Sequence, residues 1–410
     1  MTLGRSDATV VRTTYLSDPQ GGPNRQGALS DFSPVDEEPP LRWQRVVHLA
    51  PPAGLGVARR AVLFALLGWL PIAAWAVIRG RFMDAPIGEP LLQHFGVHVR
   101  CLVAIPLLIF GEATLHRAAL LYSSQFLTSG LIDDATRPAF EAALRAVRRW
   151  RDLTLPWLFI IGAALAWTFV DRTPKQADEL SWAFDENGAL GFGGVWFAYL
   201  VRPVFAALLL GWLWRIILLV MLFVRLGRLT LSLVPSHPDR AGGLGFLERL
   251  PAAFAPVSLA LSAMLASRWA HQIVYHGQTV ATLKLPATTF VVIWSLLVVM
   301  PLVPLMRVLI AAKRAALPSY AAMVAEQGRQ VRQRWIEGTT KEGSMLEPEG
   351  VGVIADASTM FSAVRSMRIL PIGKSSLAAI VVPIGIPMLL VAALQVPIKT
   401  VLLSLLKALM

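Results

Sequence analysis

Cysteine is almost missing from this chain of 410 residues, where Cys101 stands alone. A single thiol excludes an intrachain disulfide and any zinc or iron–sulfur cluster built on cysteines. Charge is scarce as well. Asp, Glu, Lys and Arg make up 16% of the residues and hydrophobic types 55%, whereas soluble domains are roughly a quarter charged. That balance excludes an ordinary soluble domain and belongs in a bilayer. The phosphate loop ending in Gly-Lys-Ser/Thr, the dinucleotide pattern Gly-x-Gly-x-x-Gly, the His-Glu-x-x-His zinc motif and the Gly-x-Ser-x-Gly elbow are absent. No motif calls for a cofactor. The opening 55 residues carry no apolar run directly behind a basic start, so no signal peptide is expected there.

What the sequence does have is apolar runs of membrane length. A helix needs about 20 residues to cross about 30 Å of hydrocarbon, and runs of this kind cover 60–78, 98–116, 154–170, 204–224, 251–270, 286–306 and 377–396. Backbone groups in hydrocarbon must be satisfied within their own segment, so each run is expected to be a helix. The expected fold is an all-α, polytopic transmembrane protein of six to eight spans. Lys and Arg number seven in 1–60, six in 117–153, four in 225–250 and ten in 307–376. The intervening segments 79–100, 171–203 and 268–285 hold three, three and two. This alternation follows the positive-inside rule and predicts a cytoplasmic N-terminus. The formal net charge of +12 then reads as a topological signal and an attraction to anionic inner-leaflet lipid, with no need for nucleic acid.

Four regions follow. Residues 1–55 are polar and expected to be loosely attached or disordered. Residues 56–306 form a transmembrane domain of six spans with a cytoplasmic helical loop at 117–153, where Pro138 suits the first helical turn. Residues 307–376 read as a cytoplasmic helical segment, with one helix stopping at Gly338 and an amphipathic stretch capped by Asp356 or Ser358. Residues 377–410 hold a last span and an apolar tail interrupted by Lys399 and Lys407, a basis for expecting a homo-oligomer. The 171–203 loop carries Asp171, Asp178, Glu179, Asp185 and Glu186. Pro301, Pro304, Pro383 and Pro387 bend or break the late spans.

Arg215, inside "LLLGWLWRIILLVMLFV", is the leading single candidate. An arginine at mid-membrane costs about 2.5 to 3.5 kcal/mol on insertion scales and should face a bundle interior or a water-filled route. A span starting near Gly193 would instead move it toward the interface. Glu112 lies in the second run with His116 one turn later on the same face. It could pair with Arg215, accept a proton, or pair with Arg117 at the interface. His94, His98 and Cys101 fall at i, i+4 and i+7, three potential metal ligands, and His271 and His276 on the same side could extend them into a composite site.

The stretch "HPDRAGGLGFLER" joins the fourth and fifth spans. His237, Pro238, Asp239, Arg240, Gly242, Gly243 and Gly245 are open to an acid–base reading, an anion cradle, or a structural clasp or gate; the last is favoured. The His-Pro-Asp-Arg-x-Gly-Gly-Leu-Gly-Phe pattern, with the Pro-rich final region, resembles an uncharacterised class of bacterial multi-pass inner-membrane proteins. The resemblance implies a bacterial inner-membrane location and no activity. The favoured function is a channel or transporter for a small ion or solute, an anion if Arg215 lines the route. The alternatives are a membrane-embedded scaffold or signalling protein working through 117–153 and 307–376, and a lipid-modifying enzyme using His237 and Asp239 or the outer histidines.

Overall fold

The computed structural model describes residues 32–52, 54–84, 89–170, 181–184, 188–333, 337 and 348–395. Apart from one bridge between Phe184 and Leu190, the regular structure in these residues is helical. The helices are α1 (Pro39–Val46), α2 (Val57–Ile78), α3 (Phe95–Thr128), α4 (Arg137–Asp152), α5 (Thr154–Val170), α6 (Phe192–Leu226), α7 (Gly245–His276), α8 (Val280–Val299), α9 (Val303–Val331), α10 (Pro348–Arg365) and α11 (Lys374–Ala392). Among the described residues, six helical segments are long and apolar enough to cross a membrane: α2, α3, α6, α7, the α8–α9 unit and α11. The shorter α5 is apolar too. The chain is a polytopic, all-α membrane protein, as its composition implies.

Three spans outrun their apolar cores, and the cause is local. In α3 and α6 the helix continues through a π-helical turn, at Arg100–Ala104 and Phe197–Val201. Pro106 and Pro203 follow these turns closely. A proline supplies no amide to the ladder, and a wide turn just upstream absorbs the lost bond without ending the helix. The run expected at 286–306 is two helices, α8 and α9, joined at the 3-10 turn Met300–Leu302 that holds Pro301. Pro383 and Pro387 stay inside α11. The amphipathic stretch expected to begin at Asp356 or Ser358 starts earlier, in α10, and ends at Arg365. The five acids of the 171–203 loop, Gly338, Lys399 and Lys407 lie outside the described residues.

The largest departure is at the N-terminal side. Residues 32–52 are not loosely attached: Phe32, Val35, Leu41 and Ala50 are buried in the main core with Leu108 and Leu115 of α3, Phe140 and Leu144 of α4, and Leu219 and Phe223 of α6. Ser33 shapes the entry, its Oγ accepting from the amides of Val35 and Asp36 at 3.2 and 3.1 Å, a turn device open to Ser without any partner strand. Arg151 of α4 donates to the Ser33 carbonyl at 2.7 Å, and Arg42 donates to the Asp152 carbonyl at 2.8 Å. The segment is thus pinned against one end of the bundle. A second core, with Ile72, Trp75, Trp182, Phe197 and Cys101, fills the opposite half between α2, α3 and α6.

Candidate functional site

The N-terminal segment delivers one acid into the bundle. Glu38, immediately before the Pro39–Pro40 start of α1, is 1% exposed. Arg215 meets it with two parallel bonds, Nε to Oε1 at 3.1 Å and Nη2 to Oε2 at 2.8 Å. This is the fork-to-carboxylate geometry that guanidinium favours. Arg215 Nη2 also donates to Glu112 Oε1 at 2.8 Å. On the far side of Glu112, Oε2 accepts from Arg60 Nη1 at 2.6 Å. Arg60 Nε is held by Gln44 Oε1 at 2.5 Å. Arg60, Glu112 and Arg215 are 3%, 2% and 3% exposed. The result is a buried row, Arg60, Glu112, Arg215, Glu38, whose charges cancel when both acids are ionised.

Close helix approach makes the row possible. A Cβ on Gly111 would sit 2.6 Å from Cζ2 of Trp212, so only glycine lets α3 lie this near α6. Trp212 then donates from its indole to the Leu108 carbonyl at 3.1 Å, and the Arg215 guanidinium stands 5.1 Å from the Trp212 ring centroid, within cation–π range. Arg215 Nη1 is buried with no hydrogen-bond partner. Burial pushes the Glu38 carboxyl up to about 7, against the pull of the Arg215 charge and hydrogen bonds, with the Glu112 charge adding to the rise. Desolvation outweighs the ion pair because both groups have left water.

Arg215 and Glu112 therefore meet, as their positions allowed. Helix α6 does begin near Gly193, the start that would bring Arg215 toward the interface, and Arg215 is buried among protein side chains there. Glu112 takes Arg60 and Arg215 as partners, where the sequence also left Arg117 open. His116 turns away from the pair and bonds Ser33 Oγ through Nδ1 at 2.8 Å, which fastens the same N-terminal segment. Glu38, Arg60 and Gln44 were missed by sequence reasoning. Their only signal was a run of three acids, Asp36–Glu38, before two prolines and a basic pair abutting an apolar run.

No family model, curated protein or solved structure matches this chain. Beyond the polytopic helical plan, nothing supports the resemblance carried by the 237–246 loop.

That loop is self-contained. Asp239 accepts from the amides of Ala241 at 2.8 Å, Gly243 at 3.0 Å and Gly245 at 2.8 Å. The cradle of amides that suggested an anion site is filled by the loop's own carboxylate. Burial works to raise Asp239, and these amides outweigh it and hold the group below its usual range, with His237 contributing. A Cβ on Gly245 would lie 2.6 Å from the Asp239 Cβ. His237 Nδ1 stands 2.9 Å from Asp239 Oδ1. Arg240 has φ 56, Gly242 φ 66 and Gly243 φ 97, and Pro238 lies between His237 and Asp239 in the turn. The Arg240 carbonyl accepts from the Arg368 amide at 2.7 Å, and Arg368 in turn pairs with Glu248 at 3.0 Å. The loop lies between α6 and α7, the fourth and fifth expected runs, and its Arg240 carbonyl also holds the segment before α11.

The stripe of His94, His98 and Cys101 does not form. His94 lies outside the helix at φ −84, ψ 75, and the π-helical turn shifts Cys101 off the expected face. His98 is occupied: Trp69 donates to its Nδ1 at 2.9 Å and Nε2 faces the Leu91 carbonyl at 3.0 Å. Cys101 is buried in the second core.

Proposed function

We propose that the protein transports a small monovalent anion, with Arg215 as its intramembrane binding group and residues 32–52 as a tethered plug. The observation that carries this reading is the fork of Arg215 on Glu38, a carboxylate supplied by a segment that precedes the first span. Removing that segment leaves Arg60 and Arg215 against Glu112 alone, one positive charge in excess. A small carboxylate or halide would restore neutrality at the vacated position. Arg215 is suited to a planar monocarboxylate, which can reproduce the two-bond grip that Glu38 makes. The same reading takes the membrane as a bacterial inner membrane with residues 32–52 on the cytoplasmic side, anionic lipid against the basic face, and a homo-oligomeric assembly.

The test is flux of acetate and chloride into liposomes containing the full chain. Glu38→Ala, which loosens the plug, is expected to raise flux several-fold, and Arg215→Leu to abolish it. Absence of flux for both anions in wild type and in correctly folded Glu38→Ala would end the reading. A scaffold role has one specific support: α9 and α10 pack on each other and leave much of their surface exposed, a pair of helices suited to a partner. Recovery of a partner that depends on α9, with no flux, would favour it. The lipid-modifying alternative is weakened because Asp239 is committed to its own loop amides.

A further inference from the structure

At the end of the bundle opposite residues 32–52, three side chains from two separate stretches aim at one point. Glu89 and His94 come from the link between α2 and α3, and His271 from the last turns of α7. Glu89 Oε2 lies 3.3 Å from His94 Nε2 and 3.3 Å from His271 Nε2. The three ligand atoms fall within 4.8 Å of one another. His94 and His271 side chains are 4% and 14% exposed. Their rings stack with centroids 5.2 Å apart and planes 26° apart, so both imidazoles present their edges to the same oxygen.

The protonation pattern decides what the point can hold. His271 Nδ1 faces the Gln93 carbonyl at 3.1 Å, and a carbonyl can only accept, so Nδ1 carries the proton and donates. In the neutral ring, Nε2 is then a bare lone pair directed at a carboxylate oxygen. Glu89 Oε2 and His271 Nε2 are both buried with no hydrogen-bond partner. Two acceptors at this separation repel unless a proton or a metal cation lies between them. Protonating both stacked rings would set two imidazoliums against each other, whereas one metal ion satisfies both rings and the carboxylate together. The two carboxylate–imidazole separations suit a metal: a tetrahedron with bonds of about 2.0 to 2.1 Å has ligand–ligand edges of about 3.3 to 3.4 Å. A second partner on the other ring nitrogen, as Gln93 supplies, is what fixes a ligating histidine.

We propose that Glu89, His94 and His271 form a binding site for a borderline divalent cation of the zinc class, with a fourth position open to water or an incoming ligand. Two imidazoles and one carboxylate suit zinc, cobalt or nickel better than calcium or magnesium, which prefer all-oxygen sets. The ion clamps the α2–α3 link to the end of α7. It stands apart from the Arg215 row and does not depend on transport.

The experiment uses untagged full-length protein in detergent, stripped with chelator and titrated with Zn²⁺ against a chromophoric competitor, and separately with Co²⁺. One tight equivalent of Zn²⁺ per chain is expected, with a Co²⁺ visible spectrum of tetrahedral intensity and a zinc-dependent rise in melting temperature. His271→Ala and Glu89→Gln should each weaken binding at least tenfold, while Cys101→Ser leaves it unchanged. Folding of each variant is checked by size-exclusion profile, and the wild-type Co²⁺ spectrum stands whether or not a variant folds. The assignment is overturned if folded wild type binds no stoichiometric Zn²⁺, or if both variants keep wild-type affinity. It is equally overturned if zinc is inert and the melting temperature instead falls as histidine deprotonates, the behaviour of a plain His271–Glu89 ion pair.

Discussion

Replacing Arg215 by leucine would leave Glu38 and Glu112 buried with only Arg60 to balance them. Breaking a buried pair from one side costs about 3 to 5 kcal/mol, whereas replacing both partners by apolar groups is often close to neutral. Arg215→Leu is therefore expected to lower the melting temperature of the detergent-solubilised protein sharply, and Arg215→Leu with Glu38→Leu to recover part of the loss. Additive effects of the two substitutions would mean that the pair is not coupled. At Asp239 the argument concerns amides. Asp239→Ala strips three backbone donors of their acceptor and should cost about 1 to 3 kcal/mol, hydrogen bonds to a charged group being the stronger kind, while Asp239→Asn should cost less. Because the Asp239 pKa is depressed in the fold, its contribution is present above the ordinary value of 3.8 and fades as pH falls through the depressed one. An acid unfolding series comparing wild type with Asp239→Asn reads this directly.

Among the elements, residues 32–52 carry the pH dependence. Glu38 titrates near its ordinary 4.5 when the segment is free and near 7 when docked. An acid with a raised pKa in the docked state binds more protons there, so docking is strongest below the free value and weakens as pH rises through the docked one. Tryptic cleavage at Arg42 and Arg45 should accordingly accelerate between about pH 4.5 and 7, and beyond it no further, after correction for the protease's own profile. Glu38→Gln should flatten the curve. The groups around Glu38 that tune this window are Arg215, Glu112 and Arg151. This element was also the least legible in the sequence. Its apolar residues, Phe32, Val35 and Leu41, are too sparse to declare a core face, and Glu38 is buried only because Arg215, 177 positions away, is there to receive it. The spans were legible because hydrocarbon demands a continuous apolar run. Their ends were not, since π-helical turns and the neighbouring helices satisfy polar residues beyond the run. The Glu89 cluster depends on a tertiary meeting of α7 with the α2–α3 link. The outer histidines His94 and His271 were legible as candidates for a composite site, while Glu89 gave no sequence signal and His98 and Cys101 lie apart from it.

For the whole molecule, the charge pattern and the packing make one joint claim about sidedness. The basic segments are joined in series at one end: 117–153 to residues 32–52 through Arg151 and the Ser33 carbonyl, 225–250 to 117–153 through the Ser232 amide and the Leu131 carbonyl, and 307–376 to 225–250 through the Arg368 amide and the Arg240 carbonyl. The histidine-rich end gathers Gln93, His271 and the bond from Gln395 to the Gln278 carbonyl. If lysines and arginines orient this chain as they do others, the first end is cytoplasmic and the second external. The buried Cys101 is the only native cysteine, so a Cys101→Ser background admits single reporters. Thr279→Cys, exposed at the histidine-rich end, should react with a membrane-impermeant maleimide in intact spheroplasts of a bacterial expression host. Glu326→Cys, exposed on α9, should react only after permeabilisation. The reverse pattern would invert the topology and place residues 32–52 outside, so that the proposed anion gate would be external.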